Sequence, residues 1–358
     1  MKIAFFIFHL RSGGAERVMT TLANDFAKLN HEVVIYTVVE EESFYALNDL
    51  VKHVKLGIGV RNFLQKTNMI TQIIKLFNHL KRNKPDVLIS FIDRNNLMAT
   101  TVGKLLGIPV IISERSNPEK YDFNAMMLFG FKRLYQKANA IVLQTKAVAR
   151  SFEKMNIILP RKEVIPNPLE PSFLENLDTL QKENIILSVG RLSVEKGHDI
   201  LLKAAVNSCL ENWKIVIVGD GPLMNDYRHF IAENGLVGKI ELLGRKTDVI
   251  NYYSKAKIFV LPSRFEGFPN AILEAMARGC AVVASNCDYG PSEIIKHEIN
   301  GILFEMGDAE ALTASLNKLI LDEGLVTKYS QAASSDAERY NTSKISTQWL
   351  QVVSSIVK

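Results

Sequence analysis

The stretch Phe259-Val260-Leu261-Pro262-Ser263-Arg264-Phe265-Glu266-Gly267-Phe268-Pro269-Asn270-Ala271-Ile272-Leu273-Glu274 changes character twice. Its apolar opening reads as a strand buried on both faces, ending near Ser263. A loop carries Glu266. A helix follows from about Asn270, a side chain suited to N-capping. It runs through Ala271, Leu273, Ala275 and Met276 and stops at Gly279, which can take the left-handed conformation. Strand, loop and helix make the repeating unit of a parallel α/β sheet, in which ligands bind outside the carboxyl ends of strands. The helix start offers unpaired N–H groups and a positive dipole end, suited to phosphate or a hydroxyl-rich sugar. Glu274 sits about one turn inside and leans back toward that start, where it can accept hydrogen bonds from a vicinal diol. Glu266 is placed to face the other end of such a ligand. Each glutamate taken alone also fits an ordinary solvated acid.

The same alternation runs along the chain. Strands are expected over residues 2–8, 32–38, 53–57, 87–92, 109–114 and 140–145, and again over 185–190, 214–219, 240–244, 257–263, 281–285 and 301–304. Helical stretches of about 10–15 residues lie between most of them, the pattern of right-handed βαβ units. The junction Val164-Ile165-Pro166-Asn167-Pro168-Leu169-Glu170-Pro171 has three prolines in six residues, which stop helix and strand alike. The expected architecture is two Rossmann-like, doubly wound parallel-sheet domains facing a central cleft. Residues 1–165 form the first and 166–341 the second, with a last helix at about 342–358 that packs back onto the first.

Composition narrows the function classes. With 47% hydrophobic and 23% charged residues the chain reads as globular, not disordered. No apolar run reaches the ~20 residues of a membrane span. The apolar start is followed by Arg11, Gly13, Gly14, Glu16 and Arg17 instead of a cleavage site, so a first strand and a cytoplasmic location are expected. The three cysteines form no C-x-x-C pair and read as small core residues. The seven histidines are scattered and read as structural or surface groups. There is no carboxylate pair of the D-x-D kind, no H-E-x-x-H and no P-loop, so no metal is expected. Residues 1–165 carry 24 Lys and Arg against 14 Asp and Glu, a net +10; residues 166–358 carry 19 against 24, a net −5. A basic half points to an anionic partner. No nucleic-acid motif is present, which leaves a phospholipid surface or a diphosphate.

The spacing Glu266-x7-Glu274, after Leu261-Pro262-Ser263 and before Ala275-Met276-Ala277-x-Gly279, resembles the signature of glycosyltransferase family 4 (GT4), retaining enzymes of the GT-B fold. The likeness extends to Ser12-Gly13-Gly14-Ala15-Glu16, Gly190-Arg191-Leu192 with Lys196-Gly197, Gly219-Asp220-Gly221-Pro222, Leu243-Gly244-Arg245 and Asn300-Gly301. Within the family the chain is similar to enzymes that extend polyprenyl-diphosphate-linked sugars in bacterial surface polysaccharide, O-antigen and glycoprotein pathways. The resemblance implies a UDP-sugar donor and roles for matched positions. Arg191 and Lys196 would hold the donor diphosphate, two fixed cations doing the work of a metal. Glu266 would contact the transferred sugar and Glu274 the ribose. The backbone of Gly267, Phe268, Pro269 and Asn270 would cradle sugar and phosphate. Gly190, Gly219 and Gly221 would let backbone approach the nucleoside, and Arg245 would line the base. Gly13 and Gly14 would close over the phosphates and sugar. Where the family often has a histidine, after the strand ending at Glu114, this chain has Arg115. With Glu16 it becomes a candidate for the acceptor, through an anionic group. A non-catalytic sugar-nucleotide-binding subunit and a nucleotide-sugar epimerase are the competing readings.

Residues 61–84 carry six Lys and Arg, no acid, and apolar side chains near helical spacing. Two readings stand: a core-facing helix with a solvated basic face, and a helix lying on an anionic membrane or beside a lipid diphosphate.

Overall fold

The computed structural model describes residues 1–57, 69–115, 125–175 and 181–357. The chain divides into two compact units, Met1–Pro168 with Thr342–Lys358, and Leu169–Asn341. In the first, strands β1 (Lys2–Ile7), β2 (Glu32–Thr37), β3 (Val51–Lys55), β4 (Val87–Phe91), β5 (Val110–Glu114), β6 (Ala140–Leu143) and β7 (Arg161–Val164) form one sheet in the order β3-β2-β1-β4-β5-β6-β7. Every neighbouring pair is parallel. Helices α1 (Gly14–Lys28), α2 (Met69–Arg82), α3 (Asp93–Leu106), α4 (Ala125–Leu134) and α5 (Lys146–Lys154) connect them. Both alternating sets of β1, Ile3, Phe5 and Ile7 as well as Ala4 and Phe6, are buried, the mark of a strand covered on both faces.

The second unit repeats the plan. Strands β8 (Glu183–Val189), β9 (Lys214–Val218), β10 (Ile240–Leu242), β11 (Ala256–Leu261), β12 (Ala281–Ser285) and β13 (Ile302–Phe304) are ordered β10-β9-β8-β11-β12-β13, again parallel. Its helices are α6 (His198–Val206), α7 (Met224–Glu233), α8 (Val249–Lys255), α9 (Asn270–Ala277), α10 (Pro291–Ile294), α11 (Ala309–Ile320) and α12 (Glu323–Ala337). In each sheet the winding reverses beside the first strand, between β1 and β4 and between β8 and β11, the position where such sheets bind ligands.

Three details differ from the sequence expectation. The short edge strand β7, Arg161-Lys162-Glu163-Val164, lacks any apolar run because an edge pairs on one side only and tolerates charge. Strand β3 begins two residues earlier than the expected 53–57. The first unit extends to Pro168 instead of 165: Asn167 is buried and its Oδ1 accepts from Arg115 Nη1 at 2.6 Å and from Gln144 Nε2 at 3.0 Å. The second begins where Leu169 N donates to Tyr340 O at 2.7 Å.

Of the basic segment 61–84, residues 61–68 lie outside the described residues. The rest forms α2, which buries Gln72, Leu76 and Leu80. Lys75 is drawn inward, its Nζ donating to Leu56 O at 2.9 Å and Gly57 O at 2.7 Å. Among the described residues no helix is long and apolar enough to cross a membrane.

The last helix, α13 (Thr342–Ile356), returns to the first unit. Ile345, Trp349, Val352 and Val353 join the core built by β1, β4 and α1, with the Trp349 ring centre 5.7 Å from that of Phe91. Truncating so large a buried side chain leaves a cavity that the surroundings fill only in part. Trp349→Ala should therefore lower the stability of the first unit by about 3–5 kcal/mol, read from urea unfolding followed by circular dichroism. A loss below about 1 kcal/mol, within the range of surface substitutions, would mean that α13 is not anchored through this ring.

Candidate functional site

The carboxyl ends of β8 and β11 flank the reversal of the second sheet, and each feeds a charged loop. After β8 the chain passes Arg191, which is exposed, and turns once over Val194–Lys196. After β11 it passes Ser263 and reaches Glu266. Lys196 Nζ stands 2.7 Å from Glu266 Oε1, and Ser263 Oγ donates to the same oxygen at 2.6 Å. Glu266 is buried, so these two donors compensate a carboxylate removed from water. The structure thus joins Lys196 and Glu266, 70 positions apart, in one ion pair.

Two contacts that sequence reasoning missed bind the loops together. The N–H groups of Arg264 and Phe265 donate to Glu195 O at 2.9 and 3.3 Å. The Arg264 guanidinium grips Asp199, in the first turn of α6, with two bonds of 2.6 Å. Burial acts to raise the Asp199 carboxyl, yet Arg264 outweighs it and holds the group below its usual range. The Arg–Asp spacing of 65 residues carries no local pattern that could have revealed it.

Helix α9 starts at Asn270, but Pro269, not Asn270, occupies the N-cap position, and no side chain caps it. Asn270 N is already turned back to Phe268 O at 3.0 Å, which moves the cap one residue earlier. A helix start without a side-chain cap keeps N–H groups available. Gly279 is left-handed (φ +67°) as expected. Glu274 lies in the fifth position of α9, buried, and accepts from Tyr253 OH of α8 at 2.9 Å. Tyr253 was not foreseen; its hydroxyl holds the Glu274 carboxylate.

The glycines after β8 and β9 meet other backbone at close range. Gly219 has φ +152°, and a Cβ there would stand 1.8 Å from Gly190 O. A Cβ on Gly221 would stand 2.4 Å from Leu192 O. These residues let the exit of β9 cross the exit of β8, backbone on backbone, before any ligand is considered. Arg245 follows Gly244, which holds Gly219 N at 2.9 Å, and is exposed.

The remaining candidates belong to the first unit. Gly13 is the N-cap of α1, with Gly14 its first residue, and Glu16 in the first turn is buried. Arg115 leaves β5 with its guanidinium 4.1 Å from the Phe91 ring centre and 5.6 Å from that of Trp349. Its Nη1 is bound to Asn167; Nε and Nη2 are buried without a partner among the described residues. Beside it, Glu114 is buried and accepts from Tyr135 OH and, at 2.7 Å, from Asn96 Nδ2. Burial pushes its carboxyl up to about 8, against the pull of these donors and of Arg115.

Comparison with known proteins places these features in context. The description "Glycosyl transferases group 1" matches residues 172–336, and "Glycosyltransferase Family 4" matches residues 12–173. A Campylobacter jejuni protein named GalNAc-alpha-(1->4)-GalNAc-alpha-(1->3)-diNAcBac-PP-undecaprenol alpha-1,4-N-acetyl-D-galactosaminyltransferase is 31% identical over 362 residues, covering 99% of both chains. A second from that organism, N-acetylgalactosamine-N,N'-diacetylbacillosaminyl-diphospho-undecaprenol 4-alpha-N-acetylgalactosaminyltransferase, is 29% identical and covers 96% of this chain and 97% of its own. Anabaena HepE, crystallised with UDP, superposes with a TM-score of 0.81 at 20% identity, over 99% of this chain and 100% of its own.

A carboxyl raised from 4.5 to about 8 ties stability to pH. The folded protein holds this proton more tightly than the unfolded chain. The contribution is full below pH 4.5 and is lost as pH rises through about 8. Between pH 5.5 and 8.5 the wild type should lose ~3 kcal/mol more than Glu114→Gln, measured by urea unfolding at both pH values. Equal losses in the two proteins would show that Glu114 ionises freely.

Proposed function

The chain belongs to the GT4-like glycosyltransferases of the GT-B fold, and on that premise we propose a specific transfer: a hexose or N-acetylhexosamine passes from a UDP-sugar to a polyprenyl-diphosphate-linked glycan, with retention at the anomeric carbon and without a metal ion. The observation that carries this reading is the pairing of Lys196 with Glu266 beside the uncapped start of α9. Lys196 has three N–H donors, and Glu266 takes one of them. The others, with Arg191, suit the two phosphates of a nucleotide diphosphate.

The bond from the anomeric carbon to the diphosphate breaks with its electron pair leaving on phosphate oxygen. Charge therefore grows on the diphosphate as the reaction proceeds. Arg191, Lys196 and the α9 N–H groups act on that charge, which lowers the barrier more than they stabilise the bound donor. The acceptor hydroxyl oxygen bonds to the anomeric carbon on the face the diphosphate leaves, and the departing diphosphate takes its proton. Glu266 holds hydroxyls of the transferred sugar and Glu274 those of the ribose. Arg115 is an acceptor-side cation: two of its buried nitrogens, Nε and Nη2, have no partner among the described residues. UDP as the nucleotide draws on HepE, and the lipid diphosphate on the names of the two Campylobacter relatives.

A lipid-linked acceptor also calls for a membrane surface. On α2, Ile70 and Ile74 are 61% and 53% exposed, Lys81 and Arg82 are exposed at its end, and Lys84 is exposed just after it. We assign this basic and apolar face a peripheral contact with the inner face of the cytoplasmic membrane. Lys75 is left out of it by its two backbone bonds.

Calorimetric titration in excess EDTA should give UDP binding stronger than GDP binding, weakened about tenfold or more in Glu274→Ala by loss of charge-assisted hydrogen bonds. No nucleotide binding at all would overturn the reading. Lys196→Ala should lower turnover about a hundredfold or more, the effect of removing one preorganised charge contact; a loss under about threefold contradicts its role. Replacing Lys81, Arg82 and Lys84 together by Glu should reduce sedimentation with phosphatidylglycerol liposomes, and unchanged binding removes α2 from the membrane contact.

A further inference from the structure

The carboxyl end of β1 holds a cluster that the roles above leave largely unused. His9 leaves the strand at which the first sheet reverses its order, where parallel sheets present ligand-binding groups. Glu16, only 6% exposed, brings Oε1 to 3.2 Å from Nδ1 of His9. Gly13 makes this approach possible, since a Cβ there would stand 2.2 Å from Glu16 Oε2. Tyr45 closes the loop: its OH donates to Gly13 O at 3.1 Å and accepts from Gly13 N at 3.3 Å. The further charges facing His9 are Glu41 and the Arg11 bound to it by Nε at 2.6 Å.

A buried carboxylate beside one ring nitrogen has a definite consequence. It favours the proton on Nδ1 and leaves Nε2 with a free lone pair. In His9, Nδ1 is buried and the Glu16 carboxylate is the group beside it, close but not yet aligned as a hydrogen bond. Such contacts commonly tighten when a ligand arrives. Nε2 has no hydrogen-bond partner among the described residues, and the side chain is 31% exposed.

We propose that His9, oriented by Glu16, recognises the glycan acceptor by accepting a hydrogen bond from one of its sugar hydroxyls at Nε2. The proposal rests on the transfer reading above. A ring nitrogen with its lone pair free suits an O–H donor; it does not suit an ionised diphosphate, whose oxygens only accept. His9 thereby differs in kind from Arg191 and Lys196, which as cations take the anionic substrate. Gly13 acts through this pair, because any side chain there displaces the Glu16 carboxylate.

The test is initial-rate kinetics with an undecaprenyl-diphosphate-linked N-acetylhexosamine glycan. The donor is whichever the wild type uses fastest among UDP-glucose, UDP-galactose and their N-acetyl forms. His9→Ala should lower kcat/KM for the glycan about tenfold or more while KM for the UDP-sugar stays within about twofold. Imidazole added to solution should restore part of the lost rate. Glu16→Gln should weaken the glycan KM in the same direction, with UDP binding by calorimetry unchanged as the check that the variant is folded. A structural role for His9 would move both KM values together and give no rescue by imidazole. That pattern, or a His9→Ala enzyme within about twofold of wild type, overturns the proposal and leaves the transfer reading standing. A wild type that binds UDP yet transfers to no lipid-diphosphate glycan overturns the transfer reading itself, and the role of His9 with it.

Discussion

A parallel strand covered on both faces can present polar groups only at its ends. Both sheets of this protein obey that constraint. The interiors of β1 and β11 are apolar, β4 and β8 each bury one serine, and the polar and charged side chains gather where the strands give out: His9 after β1, Glu114 and Arg115 at β5, Arg191 after β8, Glu266 after β11. Nearly everything chemical about the molecule follows from having concentrated its charge at those ends.

Charge so close to a core must be compensated, and three buried glutamates show three solutions. Glu266 meets a lysine and a serine hydroxyl on a single oxygen. Glu274 meets the phenol of Tyr253. Glu114 receives hydrogen bonds from neutral donors, Tyr135 and Asn96, while burial drives it toward the protonated form. An ion pair keeps a carboxylate ready to exchange its partner for a ligand. A carboxyl held as an acid works as internal scaffolding, and here it precedes Arg115 in the chain. The Arg264–Asp199 clasp belongs to the same economy: two loops of unlike origin become one surface because their charges satisfy each other across it.

Much of this was legible in the residues. Continuous apolar runs between helical stretches announced parallel strands, because a strand covered twice has no polar face to alternate. Glu266 and Glu274 were legible because their spacing spans a strand end, a loop and a helix start in one local stretch. Strand β7 was not, since four residues with three charges look like a loop until a neighbour supplies the pairing. His9 was passed over as one of seven scattered histidines; only the folded chain brings Glu16 to its ring. The cap of α9 was misplaced by one residue because the Phe268 carbonyl claims Asn270 N. The N-cap preference of an asparagine side chain cannot anticipate such a contact.

What the sequence by itself determined is the set of local choices. They are where strands end, where glycine permits a crossing, which helix starts carry acids, and which half of the chain is basic. These follow from backbone sterics and burial over a few neighbouring residues. Tertiary structure alone decided which of those ends meet. Lys196 finds Glu266 across 70 residues, Arg264 finds Asp199 across 65, and Trp349 crosses from the far end of the chain to lie beside Phe91 and Arg115. Such pairings depend on the order of strands in the sheet, and that order is set by packing the whole set of helices at once, which no single stretch of sequence contains.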